Sequence, residues 1–187
     1  MTGFVVEFNR LSPLNAAAAE DLEACLKRKT FAKGSLLLKQ HDICNKLYFL
    51  DAGLVKTYFH SEHKEFIMRF FHENSFFTVL DSFTAQIPSH FNITALESTE
   101  VTFLTHIDLE LLSRKHHCIE TAYRKLISFA STMMMKRVRE MLEENGTERY
   151  NHFVKENRPL LSRISLGDLA CYLGISQVSL SRIRGKR

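Results

Sequence analysis

The chain has 187 residues, of which 45% are hydrophobic and 25% charged, and carries a formal net charge of +4. That length supports one full core plus a small second module, and the composition is ordinary for a globular protein. No run approaches the roughly 18–20 apolar residues of a membrane span, and residues 1–10 lack both the basic leader and the long apolar core of a secretory signal, so a cytoplasmic protein without a membrane partner is expected.

In chain order, Ser12-Pro13 reads as the start of a helix running to about Lys27, with serine as cap and proline in the first turn. After Lys33-Gly34 the period changes. Residues 35–39, 46–50, 53–59, 65–71, 76–80, 92–96 and 100–104 read as short strands rich in aliphatic and aromatic side chains. Their spacing predicts a jelly-roll barrel, and 15 phenylalanines with no tryptophan suit a core packed by rings. From Asp108 the pattern turns helical. A short helix is expected over residues 108–115, with Thr105 and Asp108 as candidate caps, and a long one over about 119–144.

Along the long helix, Ile119, Ala122, Leu126, Phe129 and Met133 recur at steps of three and four, as in a seam between two chains. A stripe this short equally suits packing on the chain's own β-domain. Asn145-Gly146 is expected to end this helix through a left-handed residue. A further short helix follows over residues 147–156, and Pro159 marks a break. Cysteines at 25, 44, 118 and 171 form no CxxC pair, so reduced, packed thiols are expected, with no metal site and no cofactor.

The last segment, residues 166–187, reads as a helix-turn-helix. Leu166, Leu169, Leu173, Ile175, Leu180 and Ile183 supply an inner face, and Ala170 is small enough for a close helix crossing. Gly174 stands where the chain reverses, and Ser176 is a natural cap for the second helix. Charge supports the reading. Residues 151–187 hold Lys155, Arg158, Arg163, Arg182, Arg184, Lys186 and Arg187 against Glu156 and Asp168 only. A basic module on a near-neutral remainder is the footprint of a phosphate-binding tail, so double-stranded DNA is the expected partner.

A β-barrel, a long helix and this tail, in that order, resemble the Crp/Fnr family of bacterial transcription regulators. The likeness spans nearly the whole chain. Lys33-Gly-Ser-Leu-Leu-Leu38 resembles the family's opening barrel strand, and Lys46-Leu-Tyr-Phe-Leu-Asp-Ala-Gly53 resembles a family hairpin. Glu62-His-Lys-Glu65 stands where the family has a Gly-Lys-Glu turn, and residues 172–183 resemble its recognition unit. The resemblance implies an α+β protein. Its expected parts are a cyclic-nucleotide-binding-like jelly-roll barrel over 1–118, a dimerisation helix over 119–145 and a helix-turn-helix domain over 146–187. It implies a homodimer on a roughly palindromic site, with RNA polymerase as a further partner.

On the recognition helix, glutamine can pair with an adenine edge, valine can meet a thymine methyl, and arginine can fork onto guanine. By resemblance, Gln177, Val178 and Arg182 match base-reading positions, and Ser176 and Ser179 match phosphate-holding ones. Arg184, Lys186 and Arg187 are expected at the backbone or in solvent, with Leu180 and Ile183 facing inward.

The family's usual effector, a cyclic nucleotide, has its phosphate held by a Gly-Glu pair and an Arg-Ser pair. Here the first slot reads Thr78-Val79, no arginine stands near Ser89-His90, and residues 71–112 contain no arginine or lysine at all. A buried phosphate without a cation is poorly compensated, so cyclic nucleotide binding in the family's manner is not expected. Another small-molecule effector stays open. His41, His63 and Asn74 replace turn glycines and tolerate the left-handed region. His60, His63 and His72 flank one hairpin, which leaves a haem- or metal-sensing barrel as an alternative. A cupin-like metalloenzyme wants His-x-His on a strand, whereas His60-x-x-His63 places its side chains apart. No triad, paired acids or phosphate loop points to an enzyme.

Overall fold

A computed structural model of the chain describes residues 1–62 and 64–185. Its helices are α1 (Gly3–Leu11), α2 (Ala16–Cys25), α3 (Leu80–Ala85), α4 (His106–Lys115), α5 (His117–Glu143), α6 (Gly146–Asn157), α7 (Leu166–Leu173) and α8 (Gln177–Gly185). A short 3-10 helix spans Arg158–Ser162. The strands are β1 (Lys27–Phe31), β2 (Leu36–Leu38), β3 (Lys46–Ala52), β4 (Leu54–Ser61), β5 (Lys64–His72), β6 (Phe76–Phe77), β7 (Asn92–Ala95) and β8 (Thr99–Thr105). They form two four-stranded sheets, ordered β1-β8-β3-β6 and β2-β7-β4-β5.

The chain divides into two compact units. One comprises Met1–Thr57 and Phe70–Ala130, the other Tyr58–Arg69 and Ser131–Arg187. The division falls inside α5 and inside the β4–β5 hairpin.

In the first unit, β3 shows why two cores form. Its run Leu47 to Leu50 is buried on both faces, because alternate side chains point to opposite sides of a strand. Leu47 and Phe49 pack with Phe4 and Phe8 of α1, Leu22 of α2, Leu109 and Leu112 of α4, and Ile119, Ala122 and Leu126 of α5. Tyr48 and Leu50 pack with Leu38, Val55, Phe77, Val79, Ile93 and Val101 between the sheets. Tyr48 and Phe77 are stacked at 5.0 Å, and the tyrosine hydroxyl donates to the Leu37 carbonyl. Burial pushes the Tyr48 phenol well above its ordinary range.

Gly53 makes the sharp reversal from β3 to β4 at φ 105°. A Cβ there would lie 2.7 Å from the Ser98 carbonyl, so no larger residue fits. His41 and Asn74 sit at φ 75° and 62°, as their role as turn-formers requires. His63 lies outside the described residues, and its neighbour Glu62 takes φ 49°.

Several boundaries differ from expectation. Ser12 ends a helix rather than starting one, since its amide bonds back to Phe8 at the end of α1. Asn15 caps α2 instead, accepting from the Ala18 amide at 2.8 Å. Lys27 opens a strand, β1, paired with β8 in the register Lys27–Phe103. Residues 76–80 hold only a two-residue strand before α3 begins at Leu80. Asn145 is not left-handed. It is extended and caps α6, its side chain accepting from the Glu148 amide while Glu148 reaches back to the Asn145 amide.

In the second unit, α6 packs on α7 and α7 on α8. Tyr150, Phe153, Leu160, Ile164, Leu169, Ala170, Leu173 and Leu180 are buried there. Among the described residues, no helix is long and apolar enough to cross a membrane.

Candidate nucleic-acid interface

The segment from Ser165 to Gly185 builds one exposed helical face from local rules. Ser165 caps α7 by accepting from the Asp168 amide at 3.0 Å, and its hydroxyl donates to the Asp168 carboxylate at 2.8 Å. Ala170 is buried in the α7–α8 pair, as a close crossing demands. Gly174 then takes φ 67°, and the Ile175 amide returns to the Ala170 carbonyl at 3.1 Å. Ser176 caps α8, accepting from the Ser179 amide at 3.1 Å, with the two hydroxyls 2.9 Å apart.

On α8, Leu180 is fully buried and Ile183 half-buried, so the opposite side of the helix is fixed outward. Ser176, Gln177, Val178, Ser179, Arg182 and Arg184 are all exposed. Val178 is 61% exposed. Arg182 follows Val178 by one turn on the same face. Gln177 lies over α7, where a Cβ on Gly167 would come within 2.8 Å of its Nε2. Lys186 and Arg187 lie outside the described residues.

The five-residue stripe on α5 is split. Ile119, Ala122 and Leu126 are buried in the helix-facing core of their own unit. Phe129 is 57% exposed and Met133 half-buried. A different apolar row is exposed further along: Met134, Met135, Val138, Met141 and Leu142. Met134, Val138 and Met141 are spaced four and three, and Met135, Val138 and Leu142 three and four, which is seam spacing. The sequence period showed that α5 has apolar faces but not which one its own domain would cover.

The segment between β6 and β7 is built differently. Val79 is buried in the barrel core, and the Thr78 hydroxyl donates to the Lys46 carbonyl at 3.0 Å. The buried Ser82 hydroxyl accepts from the Cys44 amide at 2.9 Å and donates to the Ile87 carbonyl at 2.6 Å. Ser89, also buried, accepts from the Phe91 amide and donates to the Phe91 carbonyl, both at 2.9 Å. Asp81 adds a negative charge to the first turn of α3. The Lys46 ammonium lies over the Phe103 ring, 5.5 Å from its centre. These residues do not fit a nucleotide held by its phosphate, since the hydroxyls are already used and the nearby acid opposes an anion.

Among the described residues the histidines do not assemble. His60 stands 3.8 Å from the Glu65 carboxylate with its ring edge against Tyr58, and His72 meets the Glu73 carbonyl at 3.1 Å. Among the described residues no three His, Cys, Asp or Glu side chains gather at metal-binding distance.

Residues 28–116 match the cyclic nucleotide-binding domain family. No curated protein sequence matches the chain. Solved structures share its fold. FixK2 from Bradyrhizobium japonicum superposes with a TM-score of 0.77 at 15% identity, covering 86% of this chain and 83% of its own. A transcriptional regulator of the crp/fnr family from Eubacterium rectale gives 0.71 at 15%, covering 91% and 82%. The Thermus thermophilus catabolite activator protein gives 0.61 at 18%, covering 96% and 85%.

Proposed function

Residues 28–116 belong to the cyclic nucleotide-binding domain family and the chain has the fold of the Crp/Fnr regulators, and from that premise we propose that it is a homodimeric, sequence-specific DNA-binding transcription regulator. The observation that carries this reading is the outer face of α8. A capped helix N-terminus presents Gln177 and Val178, with Arg182 one turn on, all exposed and backed by a buried Leu180. Helix N-terminal residues reach base edges first, and the amides of that end favour phosphate. Gln177, Val178 and Arg182 are the base readers. Ser176 and Ser179 turn toward phosphate by exchanging their mutual hydrogen bond, and Arg184 contacts the backbone.

The dimer seam is the exposed row Met134, Met135, Val138, Met141 and Leu142, with Phe129 and Met133 at its edge. Two copies then set recognition helices about 34 Å apart, one turn of DNA, on a roughly palindromic site. The functional division is a sensor-type barrel over 1–118, a pairing helix over 119–145 and a reader over 146–187. The protein acts in the cytoplasm with RNA polymerase, and not as an enzyme.

The barrel does not respond to a cyclic nucleotide in the family's usual manner. One observation favours another small ligand. The Thr57 hydroxyl is buried with no hydrogen-bond partner among the described residues, on the same face of β4 as the barrel-core residue Val55. A neutral molecule with one polar group would satisfy it.

Light scattering tests the dimer: a mass near twice 21.7 kDa is expected, and a monomer at micromolar concentration contradicts it. Selection of duplexes from a random pool tests the DNA reading, with enrichment of an inverted repeat as the expected outcome.

A further inference from the structure

A helix ends with four backbone carbonyls that have no partner inside it, and the end of α7 shows where each goes. The Ala170 carbonyl accepts from the amides of Gly174 and Ile175, and the Cys171 carbonyl from Gly174. The remaining two are taken by arginines from other helices. Arg137 of α5 donates through Nη2 to the Tyr172 carbonyl, and Arg149 of α6 donates through Nε to the Leu173 carbonyl at 2.9 Å.

Both arginines are held for this task. The Arg137 guanidinium lies over the Tyr172 ring, 4.0 Å from its centre, and stands 3.7 Å from the Glu140 carboxylate. Phe153 covers the same ring at 5.3 Å. Arg149 also donates to the Glu144 carbonyl, at the junction between α5 and α6. Two cations therefore meet the negative end of the α7 dipole, immediately before the chain turns into α8. The turn itself is closely packed. A Cβ on Gly174 would lie 3.0 Å from Met141 Cε, and one on Gly146 would lie 2.8 Å from Ile175 Cγ2.

We infer that Arg137 and Arg149 form a clamp that sets the attitude of α8, making them positioning residues for DNA reading although neither lies on the reading face. This rests on the proposed DNA-binding function. The clamp gives α5 a direct hold on the reader. Arg137 shares its helix with Val138 and Met141 of the exposed row, so a shift of α5 at the seam is passed to the last turn of α7 and on to Gln177 through Arg182. Lysine cannot substitute fully, because it lacks both the flat stacking surface and the fork of donors.

The test compares wild type with R137A/R149A, using R114A on α4 as a control for lost charge. Hydrogen exchange of the amides of residues 175–185 is expected to quicken at least tenfold in the double variant and to stay unchanged in R114A. Affinity for a duplex selected by the wild type is expected to fall at least tenfold, with binding to random-sequence duplex within twofold, because a misaimed helix keeps its charge but loses its register. Exchange within twofold of wild type, or unchanged discrimination between selected and random duplex, overturns the clamp. Should R137A/R149A lose its helical circular-dichroism signal, R137K and R149K take its place, with faster exchange expected and wild-type exchange again overturning it. The exchange experiment needs no DNA. A wild type that selects no sequence sinks the functional reading alone, and the clamp is still judged.

Discussion

The segment joining β6 to β7 and the segment from α7 to α8 handle polar groups in opposite ways. In the first, Ser82 and Ser89 are buried and each hydroxyl both donates to and accepts from nearby backbone. No lysine or arginine stands between Phe71 and Leu112. In the second, caps and arginines settle the helix ends, and the side chains that remain, Gln177, Val178, Ser179 and Arg182, face solvent. Inward saturation makes a packing element, whereas outward-facing donors on a rigid helix make a recognition surface.

The contrast can be broken at the support of the outward face. Leu180→Ala removes a fully buried side chain from a small helical unit and is expected to cost about 2–5 kcal/mol, read as a lower melting transition of the second unit. A loss below about 1 kcal/mol would mean that the outward row is not anchored as described. At the seam, Val138→Glu puts a charge into the exposed row and is expected to convert the dimer to monomer by light scattering. Ile119→Ala, by contrast, is expected to lower stability by about 2–5 kcal/mol with no change in mass. A dimer lost through Ile119→Ala instead would restore the original stripe.

Smaller effects sharpen the inward half. Calorimetric titration with cAMP or cGMP is expected to give no binding heat, and micromolar affinity would reverse the reading of the β6–β7 segment. Asp21 makes the smallest contribution. Hydrogen bonds from Lys115 and His116, each at 2.6 Å, hold its carboxyl below the ordinary value of 3.8. A lowered carboxylate pKa stabilises the fold above the unfolded value and stops doing so as pH falls through the folded one. Asp21→Asn should therefore flatten the loss of stability below about pH 4 and leave the exposed row on α8 unaffected.

Much of this was legible in the residues, for identifiable reasons. Strands β2 to β5 and helices α4 to α8 carry strong periods or caps, such as Thr105 and Ser176. Strand β1 carries neither. Its Lys27, Arg28 and Lys29 are exposed on a sheet edge, and only pairing with β8 makes it a strand. Helix α1 was hidden because Phe4, Val5 and Phe8 also suit a strand, although Thr2 accepts from the Val5 amide as a cap. The clamp is invisible to local patterns, since Arg137 and Tyr172 lie 35 residues apart. The outward face of α8 was legible because the buried Leu180 and the half-buried Ile183 leave the other side chains only one way to point.

The most direct test of the central claim runs wild type and Arg182→Ala in parallel through selection from a random duplex pool. Wild type is expected to enrich an inverted repeat. The variant should enrich the same repeat with one base preference lost per half-site, and bind the wild-type site about 1–3 kcal/mol more weakly. No enrichment by wild type, or an identical motif from both proteins, would contradict it.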